Sequence, residues 1–298
     1  MTDTLTLALW ATNLSAPLTG LEAWAARIDA KLAEAARAGA DLLIMPEYAC
    51  EQWLSFKPTG LAPTAEIGWM AAQAPQALEM LKPLPARHGV ALLAGTMPWT
   101  VNGSQRNRAW LMLPDGRAIA QDKMALTPGE QDPESWTLAT GDEIAIVEWR
   151  GLKIATLICL DVEMPALSSL LAPQGIDLLM VPSMTGLLSG YSRVFGCAKA
   201  RAVELMTVVA ATGCVGTAPG TTQNETNVSG CAVFVPCERE LGFTGVFAAT
   251  DPVGAHDGDG PFLIARDLPI GLIRRKRAGA AEVWPGAWSA AHVRVRRY

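Results

Sequence analysis

The sequence predicts a layered α/β fold, and three observations carry that prediction. Short apolar runs of strand length alternate with longer amphipathic stretches, mostly in helix–strand–strand units, the order found in layered α/β architecture. Of the 298 residues, 50% are hydrophobic and only 18% are charged, so a large core can form and little is left for a disordered tail. Gly39-Ala40-Asp41-Leu42-Leu43-Ile44-Met45-Pro46-Glu47 matches Gly175-Ile176-Asp177-Leu178-Leu179-Met180-Val181-Pro182-Ser183, with glycine, aspartate, two leucines and proline in register. A helix-ending glycine, a strand buried on both faces and a terminating proline would recur in any α/β repeat, so the match is no proof of duplication. It does predict two equivalent halves. A single domain over residues 1–298 is expected, because α/β domains of this length are routine when the sheets are large.

Leu5 to Ala11 reads as a buried strand, followed by an amphipathic helix from Leu21 to Arg37 that Gly39 stops. Asp41 to Met45 is a short apolar strand. Helical signals recur from Ala65 to Arg87, with Pro75, Pro83 and Pro85 expected to interrupt them. Val90 to Ala94 is strand-like. Arg108 to Leu113 and Ala118 to Asp122 form a hairpin around Pro114-Asp115-Gly116, whose residues supply the turn's backbone angles, and Lys123 sits where its second strand ends. Glu143 to Trp149 and Leu152 to Ile158 form another around Arg150-Gly151, delivering Cys159 to a strand's carboxyl end. A helix starts near Pro165, with Glu163 as its acidic cap. The strand Asp177 to Val181, the helix Ser192 to Met206 and the strands Thr207 to Thr212, Gly230 to Val235, Gly245 to Thr250 and Phe262 to Ala265 complete the series.

A formal net charge of -5 argues against a nucleic-acid partner, and Arg294-Val295-Arg296-Arg297 is too short to reverse that. The N-terminus lacks the basic region of a secretory signal and no apolar stretch approaches a membrane span, so a cytoplasmic chain with no membrane partner is expected. Cys50, Cys159, Cys197, Cys214, Cys231 and Cys237 show no framework spacing, and most are expected to be buried, inert thiols. His88, His256 and His292 are too scattered for a metal site, and no metal or other cofactor is expected. A Gly-x-Ser-x-Gly elbow, a P-loop and a dinucleotide fingerprint are absent from strand–turn–helix contexts.

Three segments nevertheless assemble the groups needed for acyl transfer: Met45-Pro46-Glu47, Asp122-Lys123-Met124 and Ile158-Cys159-Leu160-Asp161, each at the end of an apolar run. A thiol attacks an amide carbonyl as thiolate, so it needs a base, and the resulting oxyanion needs a positive or hydrogen-bonding neighbour. Glu47 is the candidate base and Lys123 the candidate oxyanion stabiliser. Singly, each has a plainer reading as an outward or helix-capping carboxylate, a surface lysine and a small core thiol. Their joint occurrence favours a site.

These segments resemble the signatures of the nitrilase superfamily of carbon–nitrogen hydrolases. The resemblance rests on Asp41 to Glu47, on Asn107, Pro114-Asp115-Gly116, Lys123, Leu126-Thr127-Pro128 and Glu130, on Lys153 to Asp161 with Pro165, on Gly175 to Ser183, and on Ala200-Arg201-Ala202-Val203-Glu204. It implies an αββα sandwich of two pseudo-equivalent halves and a Glu47, Lys123, Cys159 triad that cleaves non-peptide C–N bonds through a thioester. By the same resemblance Glu130, rather than nearby Glu134, is a second acidic residue that bonds Lys123 and the substrate amide or water. Leu160, through its backbone N–H, and Tyr48, Trp53, Trp136 and Met184 are candidate substrate contacts; packing of loops onto the core is the alternative for the three aromatic residues.

The resemblance further implies a homodimer or higher homo-oligomer acting on a small-molecule amide. Amide hydrolysis is preferred to nitrile hydrolysis because nitrilases usually follow the cysteine with Trp-Glu, where this chain has Leu160-Asp161. N-carbamoyl amide hydrolysis and a non-catalytic binding role are the alternatives. Two departures, Leu160 for a common aromatic residue and Ala166 for a common glutamate, bear on the pocket wall. Members that take carboxylate-bearing substrates often carry arginine just after the motif's aspartate; Val162 and Glu163 stand there, which predicts neutral or cationic acyl groups unless Arg193 substitutes.

Overall fold

The computed structural model describes residues 3–134, 136–218 and 226–297. The apolar runs form two six-stranded sheets. The first contains β1 (Leu5–Trp10), β2 (Leu42–Ile44), β3 (Ala91–Val101), β4 (Ser104–Met112) and β5 (Ala118–Asp122). The second contains β6 (Val147–Trp149), β7 (Leu152–Thr156), β8 (Leu178–Ser183), β9 (Val208–Gly213), β10 (Cys231–Phe234) and β11 (Val246–Ala249). The last strand, β12 (Phe262–Leu268), returns to the first sheet, giving the orders β12-β1-β2-β3-β4-β5 and β11-β10-β9-β8-β7-β6.

Helices α1 (Leu21–Arg37), α2 (Glu66–Leu81) and α3 (Leu84–His88) cross between the parallel strands β1, β2 and β3. In the second sheet β7, β8 and β9 are parallel, and the one-turn α4 (Pro128–Gln131) precedes the crossover helices α5 (Pro165–Leu171) and α6 (Leu188–Glu204). The halves therefore correspond strand for strand, β1 to β7, β2 to β8 and β3 to β9, and the internal match in the sequence superposes β2 on β8. Its aspartates have equivalent jobs: Asp41 accepts the Thr6 amide at 2.8 Å and Asp177 the Lys153 amide at 3.0 Å, each pinning the start of the preceding parallel strand.

Alternation along the strands sorts side chains into layers. Leu5, Leu7, Leu9, Leu42, Ile44 and Leu93 join Ile154, Leu179, Val181 and Val209 in one core cluster spanning both sheets. Ala8, Trp10, Leu43, Met45 and Leu92 face the other way, onto Trp24, Ile28 and Leu32 of α1 and Met70 and Ala74 of α2. Val194, Phe195, Ala198 and Ala202 of α6 cover the second sheet, completing an αββα sandwich. A short helix α7 (Ile270–Arg275) follows β12. No helix among the described residues is long and apolar enough to cross a membrane.

Four local expectations are corrected. Pro75 lies inside α2 without ending it: its ring is on the solvent side, while Met70, Ala74, Ala77 and Leu81 keep the buried stripe continuous. The strand expected over Val90 to Ala94 extends to Val101 and turns at Asn102-Gly103, both at positive φ (49 and 81), into β4, with Val101 paired to Ser104. The strand expected from Glu143 is confined to Val147–Trp149. Glu163 does not cap α5, whose N-cap is Met164; its carboxylate pairs with Arg193 at 3.3 Å.

Candidate active site

The site forms where the ends of β2, β5 and β7 converge. Glu47 is placed by a close backbone approach: a Cβ on Gly95, in the irregular part of β3, would sit 2.1 Å from the Pro46 carbonyl oxygen, so only glycine admits this packing. Tyr48 then turns into the left-handed region (φ 51), and its amide donates to Thr96 Oγ1 at 3.0 Å. Cys159 makes the same move (φ 48) three residues past β7. A left-handed non-glycine residue is strained by about 1 kcal/mol or more and persists only where its surroundings over-determine it.

For Cys159 much of that determination comes from Asp161, which is fully buried. Its Oδ2 accepts the Ile158 amide at 3.0 Å, and its Oδ1 accepts the amides of Met124 at 3.1 Å and Ala125 at 2.6 Å. One carboxylate thus ties the turn before the thiol to the loop after Lys123. Arg201 of α6 supports the turn from below, donating to the Val162 carbonyl at 3.1 Å.

Lys123 is 2% exposed, and its Nζ donates to Glu47 Oε1 at 2.8 Å and to both oxygens of Glu130 at 2.8 and 2.7 Å. Glu130 is oriented by a capping box: its Oε2 accepts the Thr127 amide at 2.8 Å while its own amide donates to Thr127 Oγ1 at 3.3 Å. Asn107 Nδ2 bridges the two carboxylates, donating to Glu47 Oε1 at 2.8 Å and Glu130 Oε1 at 3.1 Å. The thiol of Cys159 is 3.6 Å from the Met184 carbonyl.

Burial works against the Lys123 ammonium, but the carboxylates of Glu47 and Glu130 outweigh it and hold its pKa above the ordinary lysine value. Burial raises Glu47, opposed by Lys123 and helped by Glu130. Burial also raises Cys159 well above a free thiol, Glu47 adding to the rise and Lys123 opposing it. The resting site therefore holds a thiol beside a carboxylate of increased basicity, and the ammonium stays charged.

These groups open onto a cavity of about 200 Å³ lined by Glu47, Lys123, Glu130 and Cys159 together with Tyr48, Trp136 and Met184. One sequence candidate is elsewhere: Trp53 is a core residue, fully buried edge-on to Trp24 at 5.0 Å; the Leu160 side chain is also not part of the lining, its candidate contact being the backbone N–H. Glu163 and Arg193 pair with each other outside it, so the expected repulsion of anionic substrates by Glu163 lacks its geometric basis. Asn107, Thr127 and Asp161 were not assigned from sequence; only the Thr-Pro-Gly-Glu spacing of a capping box gave a local signal for Thr127.

Residues 11–236 match the family model for carbon–nitrogen hydrolases. The chain belongs to that family. A probable hydrolase of Bacillus subtilis is 26% identical over 86% of this chain and 48% of its own length. An omega-amidase of Xenopus tropicalis is 28% identical over 59% of this chain and 63% of its own. The chain thus spans about half to under two thirds of these curated relatives. An amidase from Nesterenkonia sp. AN1, solved with an acetamide moiety on its active-site cysteine, shares the fold with a TM-score of 0.69 and 22% identity, covering 93% of this chain and 95% of its own.

One buried acid lies next to this machinery without a partner. Glu51, in the 3-10 helix Ala49–Phe56, is fully buried, and neither of its oxygens is hydrogen-bonded among the described residues. Burial, with Glu66 and Glu47 adding to it, pushes its pKa up from 4.5 to about 8. Between those values the folded chain keeps a proton that the unfolded chain has released, so this group's stabilising contribution, complete below the lower value, is lost as pH rises through the upper one. The slope is at most about 1.4 kcal/mol per pH unit. Glu51→Gln cannot ionise, so its stability should decline less from pH 5 to pH 8 than that of the wild type. Urea midpoints at the two pH values check this; parallel declines would place the ionisation outside that window.

Proposed function

We propose that this chain is a single-domain amidohydrolase that cleaves a non-peptide amide through a thioester on Cys159. The observation that carries the reading is the Lys123 ammonium clamped between Glu47 and Glu130 on the cavity that also exposes the Cys159 thiol. As the substrate carbonyl arrives, the thiol passes its proton to Glu47 and the sulfur bonds to the carbonyl carbon. The C=O electron pair moves onto oxygen, and the oxyanion is held by Lys123 and the Leu160 backbone N–H. Lys123 can turn one N–H to it by giving up one of its two contacts with Glu130. Collapse breaks the C–N bond, and Glu47 returns its proton to the departing nitrogen. Water, deprotonated by Glu47, then attacks the thioester; the second oxyanion expels the thiolate, which regains the proton.

Glu130, with Asn107, holds Lys123 and Glu47 in register, and Tyr48, Trp136 and Met184 contact the acyl group. A small-molecule amide partner rests on the family resemblance. A homo-oligomer is further supported by exposed Leu170, Leu187, Leu188 and Val203 on and beside α5 and α6. Intact-mass analysis after substrate trapping tests the mechanism: one acyl group is expected on the wild type and none on Cys159→Ala. Labelling that survives in Cys159→Ala would refute the nucleophile.

A further inference from the structure

The cavity that exposes Cys159 is small, and one residue stands between it and a larger space. A cavity of about 510 Å³ lies against Thr64, Ile67 and Gly68 at the start of α2, Gly103 to Gln105 of the β3–β4 hairpin, and the segment Trp136 to Ala139. Among the described residues, Trp136 alone lines both spaces. We propose that Trp136 is the end wall of the acyl site and sets the longest acyl chain the protein accepts. This rests on the amide-hydrolysis reading above.

The size and polarity of the cavity support this. An apolar cavity of about 150 Å³ takes a molecule the size of benzene; about 200 Å³ therefore holds the reacting amide and only a few further carbon atoms. A primary amide carries one carbon substituent, its acyl chain. Glu47, Lys123, Glu130 and Cys159 line the reacting end, so the apolar chain is left to Tyr48, Trp136 and Met184. Met184 is next to the sulfur through its carbonyl, which makes the aromatic pair the far apolar wall. The chain should also be uncharged there, because among the described residues Lys123 is the single cationic side chain of the lining and already donates to two carboxylates.

Trp136 is held firmly. It packs edge-on to Tyr48 at 4.7 Å, and the backbone that follows is pinned by the Leu138 amide donating to the Glu130 carbonyl at 2.7 Å. Its indole Nε1 has no hydrogen-bond partner among the described residues, so a smaller apolar residue forfeits packing but no polar bond. Shortening this side chain joins the two spaces without touching Glu47, Lys123 or Cys159.

The test is ammonia release from straight-chain primary amides, from acetamide to octanamide, by the wild type, Trp136→Leu and Trp136→Ala. A methylene in an apolar site is worth about tenfold or more in kcat/KM. The wild type should therefore fall steeply beyond the short amides, and the hexanamide-to-propionamide ratio of kcat/KM should rise at least about tenfold in Trp136→Leu and further in Trp136→Ala. If Trp136→Ala does not fold, Trp136→Leu decides alone. Active variants whose chain-length profiles parallel the wild type overturn the assignment of Trp136 and leave the amide reading intact. No ammonia from any amide with any of the three proteins overturns the amide reading and this inference with it.

Discussion

Lys123→Ala should lower kcat/KM by at least about a hundredfold, the loss typical of removing one oxyanion donor, and should destabilise the protein at the same time. The two effects have one cause. Lys123 is the ammonium that neutralises two buried carboxylates, Glu47 and Glu130, at 2.7 to 2.8 Å. Without it they remain joined only through Asn107, and removing one partner of a buried ion pair costs on the order of 3–5 kcal/mol. The chain can recover part of that by protonating Glu47, which deprives the thiol of its proposed base. Residual activity should therefore appear only at higher pH than in the wild type, and the loss of stability should shrink as pH is lowered. Kinetics and urea melts across pH check both; a folded Lys123→Ala protein with near wild-type kcat/KM would remove Lys123 from the mechanism.

Asp161→Asn is expected to have the next largest effect, although its side chain is outside the cavity lining. The carboxylate accepts three backbone N–H groups, two from the Lys123 loop and one from the residue before Cys159. An asparagine keeps one acceptor oxygen and turns its NH₂ toward a donor, leaving at least one buried N–H unpaired at about 1–3 kcal/mol. Because these bonds tie the loop after Lys123 to the turn before Cys159, kcat should fall about a hundredfold, a loss that a 1 Å misplacement can cause. Burial pushes Asp161 up to about 6, against the pull of its N–H donors and Lys123. Protonation below that value converts an acceptor into a donor, so wild-type kcat should fall as pH drops through about 6 and Asp161→Asn should lack that limb. Unchanged kcat in the variant at pH 7 would show that the clamp is dispensable.

What was legible in the sequence depended on whether a residue's role is local. Glu47, Lys123 and Cys159 each end an apolar run, and strand ends converge in layered α/β folds, so their meeting followed from order alone. The helix from Leu21 to Arg37 and the match between β2 and β8 were equally local. Asn102-Gly103 is just as local, a two-residue turn whose positive φ angles asparagine and glycine tolerate, and it joins β3 to β4. Trp53 and Trp136 were indistinguishable as aromatic residues near acids; a turn of 3-10 helix points one into the core and a loop points the other into the cavity. Asp161 and Asn107 act on partners distant in sequence, at separations of 37 and 60 residues, and nothing nearby in the chain announces those.

The correspondence of the two halves has a consequence for where the chemistry becomes available. Glu47, Asn107, Lys123 and Glu130 all belong to the first half, and Cys159 and Met184 to the second. At the site the seam is stitched by Asp161 to the Lys123 loop and by the Cys214 thiol to the Glu47 carbonyl at 3.2 Å, and away from it by contacts such as Arg150 to Asp41 and Arg117 to the Glu148 carbonyl at 3.1 Å. Neither half alone holds both the Cys159 thiol and the Glu47 carboxylate proposed to activate it. The site is an interface internal to one chain: the Cys159 thiol shares a cavity with Glu47 and Lys123 only where the two halves pack against each other.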